Sequence, residues 1–311
     1  AMAQLSPTSL AIVAAHWNKP PEQLTQDDVE RFNAQFPGTL ASVDNREADQ
    51  SQLFDVPAGL RVVPNPGGGD CLFLALMQLL EPKQVSDRDL EATLDEFRRV
   101  TAEGLEPLMQ DSGETWKVFK TLVNQNDQAI IRNIEDTVQK TFEPEELQHM
   151  SGEERDAIEK DWFKQAIREK NRIWGDNMYL LMFLRSPLNP YTQQTSLNIL
   201  LIDRLAPALL LGARQPWSKP LCFGSAYMFP GQKCFWGILI RTRTDDGRGA
   251  MHYEAATLPE VGPTRTRFQR MYDTRTLVQA LTDLDYLPYV LDGADNADIV
   301  RRCLVPFERR R

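Results

Sequence analysis

From Asn65 to Leu80 the chain runs Asn-Pro-Gly-Gly-Gly-Asp-Cys-Leu-Phe-Leu-Ala-Leu-Met-Gln-Leu-Leu, and no other stretch narrows the possible folds so far. Gly67, Gly68 and Gly69 allow backbone conformations closed to other residues. The run from Cys71 to Leu80 is apolar nearly all round, as a helix enclosed by a core must be. Cys71 therefore falls at or just before a helix N-terminus, where unpaired N–H groups and the positive end of the helix dipole favour thiolate over thiol. The glycine loop beside it can aim further N–H groups at a developing oxyanion. The competing reading is a plain core residue, since free cysteine is among the most buried side chains.

The rest of the composition sets limits on that centre. A chain of 311 residues can bury a substantial core. Its formal net charge of -9 argues against a general binder of nucleic acid or anionic membrane and suits a basic partner. The longest apolar stretches, 197–202 and 205–211, are separated by Asp203 and Arg204, so no membrane-spanning segment is expected. Ala1-Met2-Ala3 reads as a cloning remnant, so no targeting inference is drawn from the start of the chain. Cys71, Cys222, Cys234 and Cys303 lack Cys-x-x-Cys spacing, which points to a reducing compartment and to neither a metal site nor a cofactor. Only His16, His149 and His252 can supply an imidazole.

Taken in order, residues 1–58 are expected to form a small helical cap, with helices over 9–16 and 26–36 and with Thr25 as the N-cap of the second. His16 reads as structural. A short strand over 60–63 precedes the glycine loop. Residues 86–171 read as a helical insertion of four helices, opened by capping patterns at Ser86 and Ser151. Within it His149 sits on an acidic, solvated face. A helix is expected from Trp174-Gly175-Asp176 onward, then strands over 196–202 and 234–242, a hairpin turn at Asp245-Asp246-Gly247-Arg248-Gly249, and a return strand over 250–255. On that return strand His252 and Glu254 are two residues apart, so they share one face while Tyr253 points to the other. A carboxylate so placed can orient an imidazole and stabilise its charged form. Alone, the pair could equally be a solvated edge-strand feature. Residues 261–311 offer a helix over 274–284 and a basic end, Arg309-Arg310-Arg311, read as a solvated terminus.

Three of these segments, in this order, resemble the ovarian-tumour (OTU) family of cysteine proteases, most of which are deubiquitinases. Its nucleophile loop running into Cys-Leu-Phe is matched by Gly69-Asp70-Cys71-Leu72-Phe73. Its Trp-Gly-x-x-x-x-Leu segment is matched by Trp174 to Leu180, and its late His-Tyr-Asn/Asp by His252-Tyr253-Glu254. The resemblance covers about residues 60–80 and 170–255.

It implies a mixed α/β (α+β) papain-like fold, a small central sheet flanked by helices, in a catalytic domain over 59–260 that carries the insertion 86–171. It further implies Cys71 as nucleophile, His252 as base and Glu254 as its orienting acid, an oxyanion loop at Gly68, Gly69 and Asp70, and substrate contacts from Trp174 and Tyr253. The expected partner is ubiquitin or a polyubiquitin chain, acted on by a monomer in the cytoplasm. The large insertion resembles the helical lobes of bacterial effector members, for which the cytosol would be a host's. Two departures stand out: Gly68 where the family commonly has Asp, and Glu254 where it has Asn or Asp. They keep open a catalytically weak ubiquitin-binding module, or a protease or transferase acting on another ubiquitin-like protein.

Overall fold

Arg61–Val63 (β1), Thr195–Arg204 (β2), Leu221–Gly224 (β3), Lys233–Thr242 (β4), His252–Thr257 (β5) and Tyr272–Asp273 (β6) form one mixed sheet. Its order is β1-β5-β4-β2-β3, with β6 added alongside β4. β2 and β4 run parallel and the other pairings are antiparallel. β2 is apolar or buried at nearly every position, as a central strand covered on both faces must be. This computed structural model describes residues 5, 7–37, 39–40, 59–67, 69–126, 128–169, 177–193, 195–204, 220–225, 233–242, 252–264 and 267–308. The chain divides into two compact units, residues 1–90 with 191–311, and residues 91–190.

In the first unit, helices Pro7–Trp17 (α1) and Gln26–Gln35 (α2) pack together around Ile12, Val13, Val29 and Phe32. Thr25 closes a capping box with Asp28. His16 is structural, as expected: its Nε2 lies 3.1 Å from Gln35 Oε1 and 3.3 Å from Asp87 Oδ1. The apolar run forms helix Cys71–Leu80 (α3), in which every residue but Gln78 is buried. α3 packs on β5, and Gly237 of β4 lies beneath it. A Cβ at that glycine would stand 2.7 Å from Leu79 Cδ1 and 2.9 Å from the Met271 sulfur, so a larger residue would force those side chains to shift.

The second unit is all helix: most of Asp87–Ala102 (α4), then Leu105–Ser112 (α5), Trp116–Asn126 (α6), Gln128–Thr141 (α7), Pro144–His149 (α8), Gly152–Arg168 (α9) and Asn177–Arg185 (α10). Among the described residues between 86 and 171 there are six helices rather than four, because α5 and α8 span too few turns to repeat an apolar stripe. The unit also takes in α10, which the sequence placed with the sheet. Gly104 shows why. A Cβ there would lie 1.8 Å from the Met182 carbonyl oxygen, so α10 passes directly against the turn before α5. Phe97 stacks on Phe183 at 5.2 Å between ring centres, and Arg185 pairs with Asp111 at 2.6 Å. The core gathers Trp116, Phe119, Ile134 and Phe163 around the buried carboxylate of Glu159, which accepts bonds from Trp116 Nε1 and Lys120 Nζ, both at 3.0 Å. Ser151 and Glu154 close the expected capping box on α9. At the start of α4, by contrast, Ser86 donates to the Asp89 carboxylate. His149 is exposed, its ring set against the Glu145 carbonyl.

The tail returns to the first unit as three helices, Thr274–Asp283 (α11), Leu287–Leu291 (α12) and Ala294–Glu308 (α13), where the sequence suggested one. They cover the sheet face carrying Trp236, Ile238 and Ile240. The Trp236 indole N–H donates to Thr274 Oγ1 at 3.0 Å, and Asn296 of α13 accepts the Cys222 N–H at 2.8 Å and so caps edge strand β3. Among the described residues, no helix is long and apolar enough to cross a membrane. The hairpin turn at 245–249 and the terminal arginines 309–311 lie outside the described residues.

Candidate active site

Cys71 is the first residue of α3 and is buried. Asp70 precedes it as N-cap, is itself buried, and accepts the Leu74 N–H on its carbonyl at 2.9 Å. Its carboxylate makes no capping bond to the helix. The opening N–H groups of α3 and the positive end of its dipole lie beside Cys71.

His252 opens β5 and Glu254 follows two residues later. Both are mostly buried, and His252 Nε2 lies 3.7 Å from Glu254 Oε1, an ion-pair spacing. His252 also bonds to Cys71. The fold has therefore brought the predicted nucleophile, base and acid together from two distant segments. Burial works against a charged imidazole. The contacts with Cys71 and Glu254 outweigh it and raise the pKa of His252 to about 9, so the ring is an imidazolium at neutral pH. A cysteine bonded to an imidazolium at a helix N-terminus is poised for nucleophilic attack. Two of the other cysteines are built differently. Burial pushes the Cys222 thiol up to about 12, while Cys303 is held well above the thiol range by its bond to Cys234 and by burial.

The other predicted residues divide. Gly69 and Asp70 lead directly into Cys71; Gly68 and Trp174 lie outside the described residues. Tyr253, expected at the substrate, is fully buried on the opposite face of β5 from His252. It interacts there with Arg241, opposite it in the strand register, and Arg241 in turn pairs with Asp203 of β2. Its place is the interior, because strand alternation that turns His252 toward Cys71 turns Tyr253 into the core. Among the described residues, no three His, Cys, Asp or Glu side chains gather as a metal site.

The sequence reading passed over Asn65. Only 1 % exposed, it donates through Nδ2 to the Tyr253 carbonyl at 2.7 Å and accepts the Gly67 N–H on Oδ1 at 3.0 Å. Gly67 has φ +78°, a conformation that favours glycine, and its N–H is turned toward Asn65. The signal available in the sequence was the asparagine's place between Pro64 and Pro66, neither of which can donate to a sheet ladder. Comparisons with protein-family models, with curated proteins and with solved structures find no match to this chain.

Proposed function

We propose that this protein is a cysteine-type deubiquitinase with an OTU-like, papain-type arrangement, hydrolysing the isopeptide bond at the C-terminus of ubiquitin. The observation that carries the reading is the bond between Cys71, at the start of α3, and His252, which is paired in turn with Glu254. Cys71 attacks the carbonyl carbon of the scissile bond as thiolate, giving a tetrahedral oxyanion. N–H groups at the start of α3, with that of Cys71 among them, stabilise it; the Gly67 N–H belongs to Asn65 and takes no part. Collapse of the intermediate expels the lysine amine, which takes its proton from His252 and leaves a thioester. His252, now neutral, removes a proton from water as it attacks the thioester, and ubiquitin departs with a free carboxylate. Glu254 orients the ring and stabilises its charged form. The acidic chain suits a substrate tail that carries arginines.

The test is reaction with ubiquitin bearing a C-terminal electrophile. A covalent adduct that Cys71→Ala abolishes supports the enzyme. Tight binding without an adduct favours a ubiquitin-binding module, and no binding at all removes ubiquitin as the partner.

A further inference from the structure

β1 runs antiparallel to β5 through Arg61↔Thr257, Val62↔Ala256 and Val63↔Ala255. Carried two residues further, this register sets position 65 opposite Tyr253, the residue between His252 and Glu254. The backbone ladder stops short of that point because Pro64 and Pro66 have no N–H to give. In its place the Asn65 side chain donates to the Tyr253 carbonyl at 2.7 Å. The same amide accepts the Gly67 N–H at 3.0 Å, an Asx-type turn that sets the direction in which the glycine loop leaves toward Cys71. From the other side Gln78, two turns along α3 from Cys71, donates through Nε2 to the Pro64 carbonyl at 3.0 Å. The short segment between β1 and α3 is thereby bonded both to the strand that carries the base and to the helix that carries the nucleophile.

We infer that Asn65 is a positioning residue: its amide fastens the peptide between His252 and Glu254 to the loop that delivers Cys71, and so sets the distance between thiol and imidazole. It does not touch the reacting atoms. One half of the amide acts on the base and the other on the nucleophile loop, so the two halves can be separated by mutation. Asn65→Asp keeps the acceptor for the Gly67 N–H but sets a carboxylate oxygen against the Tyr253 carbonyl. Asn65→Ala removes both bonds.

The inference rests on the Cys71–His252 pair of the preceding reading but not on ubiquitin, and the experiment exploits that difference. Alkylation of Cys71 by iodoacetamide is followed from pH 4 to 10, with Cys222, Cys234 and Cys303 monitored by peptide mapping. In the parent, reactivity should hold a plateau over the pH range in which His252 is charged. In Asn65→Asp and Asn65→Ala the plateau should fall, while kcat drops by about 10²-fold with little change in KM. Near-UV circular dichroism reports whether each variant is folded. An unchanged plateau in folded variants overturns the inference alone, and failure of both variants to fold overturns it by making Asn65 a folding determinant. A parent without a plateau overturns the catalytic pair itself. A parent with the plateau that cleaves no ubiquitin overturns the substrate and leaves the role of Asn65 standing.

Discussion

Arg241 and Asp203 face each other across the parallel strands β4 and β2 as a buried ion pair, with Arg241 Nη2 donating to Asp203 Oδ2 at 2.7 Å and Tyr253 on the same face. Burial alone would lower the pKa of Arg241, yet the bond to Asp203 and the interaction with Tyr253 raise it. The pair therefore holds a charge under the strand that presents His252 and Glu254. Removing one partner leaves the other charge buried and uncompensated. Asp203→Asn and Arg241→Leu should each destabilise the protein by about 3–5 kcal/mol. Urea unfolding followed by Trp fluorescence measures this; a loss under 1 kcal/mol would mean that the pair is solvated on breaking.

Cys71→Ala and His252→Ala should each lower ubiquitin-chain cleavage by about 10⁴-fold or more while near-UV circular dichroism still reports a folded protein, since nucleophile and base act as a unit. Alanine at Cys222, Cys234 or Cys303 should leave the reaction with the ubiquitin probe intact. Near-native cleavage by Cys71→Ala would dispose of the assignment.

The pH dependence follows from His252, whose neighbouring ionisable groups are Cys71 and Glu254. Its folded pKa, about 9, stands above the ordinary 6.5. Its contribution to stability is then fully present below 6.5 and is lost as pH rises through 9. The charge on the ring beside Cys71 is lost over the same interval, so kcat/KM should hold through neutral pH and fall on an alkaline limb near 9. Glu254→Gln removes one of the groups that raise the pKa. The limb should move to lower pH, and turnover should drop by on the order of 10²-fold. A pH–rate profile identical to the parent's would take Glu254 out of the mechanism.

Gly104→Ala tests the close approach inside the helical unit. The added Cβ would meet the Met182 carbonyl oxygen at 1.8 Å, and backbone cannot rotate aside as a flexible side chain would. A loss of about 1–3 kcal/mol is expected, read as a lower urea midpoint. Gly113→Ala is less informative, because its φ of +66° adds backbone strain where there is no steric contact.

Much of this was legible before any coordinates. The all-round apolarity of Cys71–Leu80 required a buried helix, and the glycines ahead of it required a loop, so Cys71 had to open that helix. The two-residue spacing of His252 and Glu254 required a shared face on a strand. Both statements depend only on neighbours along the chain, and local periodicity records them. Helices as short as α5, α8 and α12 contain too few turns to leave such a record, and they went unread. Each helix of the insertion needs one buried stripe, and Trp116, Phe119, Ile130, Ile134 and Phe163 are buried, with Trp162 half-buried.

What the tertiary structure decided is who meets whom. Whether Tyr253 faces a substrate or the interior depends on which side of β5 is covered, and Arg241 and Asp203 reach it only because β4 and β2 lie in that register. Asn65 reads in the sequence as punctuation between two prolines. It becomes a bridge only once β1 is laid against β5 and the missing ladder bond falls at the peptide between His252 and Glu254. α10 joins the helical unit through the close approach of Met182 to Gly104, the Phe97–Phe183 stack and the Arg185–Asp111 pair. The residue types specify which groups must be buried or bonded, but strand register and close packing arise from contacts between distant segments. Those contacts are cooperative, so their partners emerge only when the whole core has formed.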